Sequence, residues 1–399
     1  MRKLNKTAAC GILAAALAAG TLSGCSKAID GTKTVATVGD EKVTLGLASY
    51  MVRDQQAQTT SYYNMLMSQY GVSGSASNVW DQKGDDGKTV GESSKDGVMT
   101  TINQLYVLKA HAADYDVTIT EDEEKAIKEA AAEFIKDNDE KILKKLAVSE
   151  DDIVTYLELV TIRSKMHDPM TADVDTEVSA NEKDQTRVTI VKVSTEGTEK
   201  DDDGNTIDLT DEEKAQKKDL AQQVLDKVKA SDDVANADMD ALAKEVDDSL
   251  SATAPAFTTA GDTDDTLDEA VQDAALELKD GEVADKVIEG DDGYYVVRLD
   301  KMLDEDATEN KEKTVISERK SDLYDSTLED WVKEEKIKVK DKVWDQITVT
   351  DSASFVYKSA DSSDDTESSD AQDSTEDTSS QDNSEDTTTE DTAAEDSAE

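Results

Sequence analysis

The chain has 399 residues, length for two or three domains, and carries 43 Lys and Arg against 93 Asp and Glu, a formal net charge of −50. That balance excludes nucleic acid as an ordinary partner, because phosphate binding needs a basic face, and it argues against polybasic attachment to anionic lipid. Hydrophobic residues make up 36% and aromatics 4%, so the core must draw mainly on Ala, Val, Leu and Ile. Sixteen of the acidic residues and no Lys or Arg lie between Asp361 and Glu399, so much of the imbalance is confined to the end of the chain and the rest is composed to fold.

Residues 1–24 read as a signal peptide. Arg2, Lys3 and Lys6 form a positive start, and Thr7 to Leu22 is an apolar stretch of small residues, too short for a comfortable span. It ends in Leu22-Ser23-Gly24-Cys25, which resembles the lipobox of bacterial lipoproteins, where the chain is cut before a cysteine whose thiol takes diacylglycerol. Cys10 falls in the removed stretch and Cys25 is the lipidation site, which leaves the mature chain without a free thiol, disulfide or thiol-based metal site. Acyl chains at about 0.8 kcal/mol per buried methylene anchor stably without a spanning helix. The expected location is the extracytoplasmic face of a bacterial cell membrane, with residues 25–33 as lipidated tether.

The run VATVGDEKVT at 35–44 predicts a β-turn-β unit through Gly39-Asp40, with Thr44 capping a helix to Gln55. Residues 71–97 read as a loop around Trp80, and helical periodicity returns from Met99 to Ala113. Thr120 with Glu123, and Ser149 with Asp152, are capping boxes that open two further helices, the second stopping before Pro169.

From Asp184 the pattern changes. TRVTIVKV at 186–193 is a β-branched strand, and an acidic turn at 201–205 leads to the capping box Thr210/Glu213 and another helix. A short helix at 238–246, an irregular stretch holding Pro255 and Phe257, and a helix from Asp265 to Leu278 follow. The strands GEVADKVI and YYVVRL, joined by the turn Gly290–Gly293, close a block of helices on a small sheet. Helical pattern resumes from Val315 to Glu335, and IKVKDKVWDQITV at 337–349 ends the folded part. The remaining Ser/Thr/Asp/Glu tail, 359–399, cannot bury enough surface to offset ordering entropy and reads as disordered. The acidic turn fails as an EF-hand: with Gly204 at position six, Thr210 stands where a bidentate Glu is required. His111 and His167 lie far apart in the helical part and read as solvated or core histidines rather than metal ligands.

The lipobox, VATVGDEKVT, DALAKEV at 240–246, and LKDGEVAD…GYYVVRL at 278–299, taken in that order, resemble the PrsA foldase lipoproteins, with SurA-type chaperones as relatives, and the block is similar to a parvulin peptidyl-prolyl isomerase. The resemblance implies an α+β protein. A mostly helical chaperone lobe would be formed by residues 34–182 and 306–350, with a parvulin-like domain inserted at 183–305.

Active parvulins hold proline in an apolar pocket with two histidines, a Met, a Phe and a Cys or Asp. The family pattern puts Thr189 and Tyr295 at the histidines, Leu267 at the Met, Val271 at the Phe, and Asp247 or Asp248 at the Asp; Phe257 is a candidate to line a peptide groove or to plug the core. Both histidines are replaced, and a loop of different sequence, SATAPAFTTAGD, stands at 251–262. Isomerisation needs only that the twisted amide be favoured over the planar one, against a barrier of about 20 kcal/mol. Two versions therefore stand side by side: a block that still isomerises X-Pro bonds through apolar burial, and one that only binds. The resemblance implies unfolded or partly folded exported polypeptides as partners, bound in a cleft between lobe and block, and no cofactor or metal. Monomer and homodimer are both open. The rival reading is a surface lipoprotein with a structural or adhesive role.

Overall fold

The computed structural model describes residues 16–19, 29–70, 79–197, 200, 206–258 and 267–358. Cys25, the lipobox, the acidic turn at 201–205 and the tail from 359 lie outside the described residues.

Leu17–Ala19 forms β1, Thr34–Val38 β2 and Glu41–Thr44 β3. Gly39 turns the β2–β3 hairpin in the left-handed region, at φ +57°. Thr44 caps α1 as predicted, accepting from the Leu47 N–H, but the helix runs Leu45–Gln69 and not to Gln55. The polar residues beyond Gln55 interrupt the apolar stripe without interrupting the backbone ladder. α2, Val90–His111, begins within the expected loop at a capping box of Thr89 and Glu92. Ala112–Tyr115 adds a turn of 3₁₀-helix. α3 (Glu121–Asp137), α4 (Glu140–Leu146) and α5 (Glu150–Met170) follow, with the predicted boxes formed at Thr120/Glu123 and Ser149/Asp152. Pro169 lies inside the last turn of α5, where few backbone bonds remain to lose, so the helix does not stop before it.

After the short α6 (Ala180–Lys183) come β4 (Gln185–Ser194), α7 (Asp211–Lys229), α8 (Met239–Lys244), β5 (Ala252–Thr253), β6 (Ala256–Thr258), α9 (Glu269–Leu276), β7 (Ile288–Glu289) and β8 (Gly293–Lys301). The strand expected over GEVADKVI contracts to β7 and one isolated bridge between Val283 and Arg298. The chain finishes with α10 (Glu305–Glu334), β9 (Ile337–Val339), α11 (Asp341–Trp344) and β10 (Phe355–Tyr357). α10 starts ten residues before its apolar periodicity does, at the cap Asp304.

Among the described residues there are three sheets. β3-β2-β9 and the pair β1-β10 belong to the helical part; β5-β4-β8-β7, with β6 also on β4, is the sheet of the block. The fold is α+β. Leu45, Leu47, Ile102, Leu105, Leu108, Ile127 and Ile153 from the first half share one core with Leu328, Trp344 and Ile347 from the end of the chain. His111 on α2 stacks on Trp331 of α10, ring centroids 4.0 Å apart, which fixes the long helix to the N-terminal helices.

The chain enters and leaves the block at one place. The Asp304 N–H donates to the Gln185 carbonyl at 2.8 Å, Arg187 pairs with Asp304, and Lys183 pairs with Glu312 at 2.9 Å.

Candidate functional site

β4 and β8 pair antiparallel, Thr189 opposite Arg298, Ile190 opposite Val297 and Lys192 opposite Tyr295. Side chains alternate between the faces of this ribbon. Val191, Val193, Tyr294 and Val296 pack under α7, while Val188, Ile190, Tyr295, Val297 and Leu299 face Phe257, Val271 and Ala275. On that second face an open cleft of about 580 Å³ is lined by Ile190, Lys192, Thr253, Pro255, Leu267, Asp268, Asp291, Asp292 and Tyr295. It lies within the block.

Three of the predicted residues come together here. Leu267 and Tyr295 line the cleft, and Val271 is fully buried in the core behind it. Phe257 is 0% exposed, packed in that same core, so it supports the cleft and offers no face to a ligand. The expectation of a groove-lining Phe257 is corrected accordingly.

Thr189 does not belong to the site. It points to the opposite face, where its hydroxyl donates to Asp300 Oδ2 at 2.6 Å and accepts from Arg298 Nη2 at 3.3 Å. Arg298, 8% exposed, also donates to the carbonyls of Val234 and Ala237. A register read one residue off in a strand transfers a side chain to the wrong face; of its neighbours, Ile190 lines the cleft and Val188 is buried in the core on that face. Asp248 is exposed and is not among the cleft residues, while Asp247 closes a local turn by accepting from the Ser249 N–H and hydroxyl.

The polar centre of the cleft joins Tyr295 to two residues that the sequence pattern did not single out, Lys192 and Asp292. Tyr295 donates its phenolic proton to Asp292 Oδ1, and Lys192 Nζ bonds Asp292 Oδ2 at 2.5 Å. The Lys192 ammonium, then the Tyr295 hydroxyl, hold the Asp292 carboxyl below its ordinary value. Burial first, and the adjacent Asp292 second, push the Tyr295 phenol up, so it stays protonated. Asp268 caps α9 through the Ala270 N–H and also accepts the Asp291 N–H at 2.6 Å, which draws the 290–292 turn over the cleft. Gly290 permits this approach: a Cβ there would lie 2.5 Å from Asp268 Oδ2 and 2.9 Å from Tyr295 Cε2. Only the turn glycines and the acidic pair Asp291-Asp292 signalled this in sequence. Nothing local tied them to Lys192.

Chemically, Ile190, Pro255 and Leu267 offer an apolar floor, the tyrosine proton is committed to Asp292, and the rim carries three carboxylates against one ammonium. Such a cleft suits an extended peptide with an apolar ring at its centre and basic flanks. It contains no thiol or imidazole. Among the described residues, no three His, Cys, Asp or Glu side chains are grouped to hold a metal ion.

The family described as the PPIC-type PPIASE domain matches residues 199–313, from before α7 through β8 into α10. The block is therefore a parvulin-type domain; the match covers less than a third of the chain and says nothing of the helical part. No curated protein matches the chain. Among solved structures, a foldase protein (PrsA) of Lactococcus lactis is similar at 15% identity and TM-score 0.31, over 78% of this chain and 96% of that one. A peptidylprolyl isomerase (PrsA) of Bacillus cereus is similar at 19% identity and TM-score 0.29, over 66% and 94%. A SurA-like chaperone of Campylobacter jejuni is similar at 10% identity and TM-score 0.25, over 77% and 99%.

Proposed function

We propose that this chain is an extracytoplasmic, membrane-anchored foldase of the PrsA-like kind, whose parvulin-type block binds segments of unfolded exported polypeptides and has lost the histidine-based isomerase site. The observation that carries the reading is the PPIC-type match at 199–313, in a block where no histidine occurs and Lys192, Asp292 and Tyr295 stand at the cleft. The helical part supports it. Tyr62 and Met65 on the last turns of α1 and Tyr70 just after it are 57%, 62% and 75% exposed, in a stretch from Gln55 to Trp80 without a single charged residue. Exposed aromatic and Met side chains are adaptable contacts for unfolded apolar segments.

Anchoring rests on Leu22-Ser23-Gly24-Cys25 and the apolar stretch before it. No described helix is long and apolar enough to cross a membrane. A tether at Cys25 would concentrate the cleft at the membrane surface, where exported chains emerge. Mass spectrometry of the chain's first peptide tests this: a diacylglycerol-modified Cys25 is the expected product, and an unmodified terminus sinks the anchor.

The function is tested with the full chain and a short X-Pro peptide. Exchange spectroscopy should show binding with cis/trans interconversion at the uncatalysed rate. Accelerated exchange abolished by Tyr295→Ala would instead establish an isomerase that works without histidines. Suppression of aggregation of a denatured secreted protein separates both from a structural or adhesive lipoprotein, which should have no effect.

A further inference from the structure

We propose that the outer face of the β3-β2-β9 sheet docks on the bilayer to which the chain is tethered, through lysine ammonium groups that meet the phosphate-bearing headgroups of anionic lipid. The inference rests on the anchor at Cys25 set out above; the charge pattern of the face does not.

The segment from Lys336 to Lys342 reads KIKVKDK. Ile337 and Val339 pack against the core of the helical part. Alternation along a strand then sends Lys336, Lys338 and Lys340 to the side away from that core. The ladder holds the three in line. The Gly39 N–H donates to the Lys336 carbonyl at 3.1 Å, Lys338 stands opposite Thr37, and the Lys340 N–H donates to the Val35 carbonyl at 2.8 Å. Thr37 has Lys42 on its other side, in β3, so Lys42 and Lys338 flank it across the sheet. Lys42, Lys336, Lys338, Lys340 and Lys342 are exposed, and none of their ammonium groups is ion-paired among the described residues. Of the carboxylates nearby in sequence, Glu41 is paired with Lys109 at 3.0 Å, which leaves Asp40, Glu335 and Asp341 against these lysines. In a chain with 93 acidic residues to 43 basic ones, this face reverses the sign. The overall balance argues against attachment to anionic lipid, but charges farther off than a Debye length of about 8 Å are largely screened, so the face acts through its own lysines.

The tether brings this sheet to the membrane. Ile29 packs on the core, the Gly46 N–H donates to the Gly31 carbonyl at 2.9 Å, and the Leu45 N–H donates to the Lys33 carbonyl at 2.7 Å. Only residues 26–28 separate Cys25 from this fixed chain. Fully extended, they reach about 14 Å. β2 then begins at Thr34, directly after Lys33, and is the first strand beyond the tether. Lipid attachment beside a basic patch is the two-signal arrangement that holds a protein stably on a bilayer, and lysines within a Debye length of an anionic surface are drawn to it. The competing explanation is that lysines on the edge strand β9 guard against pairing with other strands.

The test uses the processed, anchored chain in vesicles of phosphatidylcholine, with and without phosphatidylglycerol, and acetylation of lysine amines read by mass spectrometry. Phosphatidylglycerol should slow labelling of Lys336, Lys338 and Lys340 roughly three-fold while lysines of the block are unchanged, and raised ionic strength should remove the effect. Equal labelling in both vesicles, or slowing that phosphatidylcholine alone produces, overturns the proposal. In Lys42→Gln with Lys338→Gln, the slowing at Lys336 and Lys340 should be lost, and its persistence overturns the proposal. A double variant that self-associates in solution while keeping the slowing marks the lysines as an edge guard and overturns it too. Should the double variant fail to fold, the salt dependence of the unsubstituted chain decides. Soluble polyphosphate that slows labelling of the same lysines more than the vesicles do assigns the face to a free phosphate polymer and overturns the bilayer. An unmodified Cys25 sinks the anchor alone: the unanchored chain should then still sediment with phosphatidylglycerol vesicles and not with phosphatidylcholine, and failure to do so overturns the face as well.

Discussion

The Thr189 hydroxyl and the Tyr295 phenol lie on opposite faces of one two-stranded ribbon, the first bonded to Asp300 at 2.6 Å and the second to Asp292. Thr189 thus serves the seam between the sheet and the 234–237 segment, which Arg298 ties down. Thr189→Val should destabilise the chain by roughly 1–2 kcal/mol in urea unfolding, since it strands a partly buried carboxylate bond. Peptide affinity at the cleft should not change. A large loss of affinity with unchanged stability would return Thr189 to the site.

The acidic rim of Asp268, Asp291 and Asp292, offset only by Lys192, sets a preference among peptides. An X-Pro peptide flanked by Lys should bind roughly ten-fold more tightly at low salt than the same peptide flanked by Glu, and the difference should shrink as ionic strength rises. Calorimetric titration at two salt concentrations reads this. Equal affinities would mean that the rim is not part of the peptide's path.

Asp292 links the cleft to pH. Its carboxyl is held below the ordinary value of 3.8, first by Lys192 and then by Tyr295. A carboxyl depressed in the folded state contributes stability that is fully present above its unfolded value and fades as pH falls through the folded one. In Lys192→Met the main cause of the depression is gone, so the fading begins at higher pH and the acid-unfolding midpoint should move up. Near neutral pH the variant should differ little, because the pair is 37% and 44% exposed and screened by solvent. An unmoved acid midpoint would contradict the coupling.

Gly46 lies at a close approach between α1 and α5. A Cβ there would lie 2.3 Å from Asp152 Oδ2 and 2.8 Å from the Ala147 carbonyl oxygen, and Asp152 is held by Thr44 at 2.5 Å and by the Ser149 hydroxyl at 2.7 Å. Helix propensity alone would make Gly46→Ala stabilising by about 1 kcal/mol. The clash should reverse the sign, to a loss of roughly 2 kcal/mol, with the α1–α5 contact loosened. Chemical denaturation gives the sign directly.

Features confined to a few neighbouring residues were legible in the sequence. Thr120 with Glu123, Ser149 with Asp152 and Thr210 with Glu213 each satisfy helix-end donors within one turn, and all three helices begin there. The box at Thr89 and Glu92 was hidden by Gly91 and the serines after it; that glycine answers to Val349, whose carbonyl oxygen would lie 2.1 Å from a Cβ. No local pattern reports such an approach. In the cleft, the family resemblance pointed to Tyr295, Leu267 and Val271, whereas it put Thr189 on the wrong face, where a shift of one residue in the strand is enough to do so. The Lys192–Asp292 contact spans a hundred residues and exists only once β4 and β8 are in register.

The pairing of Ala36 with Val339 has a consequence in time. A chain made from its N-terminus has the β2–β3 hairpin early, yet the strand that completes this sheet comes after α10. The inserted block shortens the wait. Once β4 and β8 pair, the Asp304 N–H meets the Gln185 carbonyl, and more than a hundred residues of slack become a clasp whose two ends touch. Closing the remaining gap then requires ordering far less chain. Damage to the block should therefore slow maturation of the distant helical part even where no contact between them is lost.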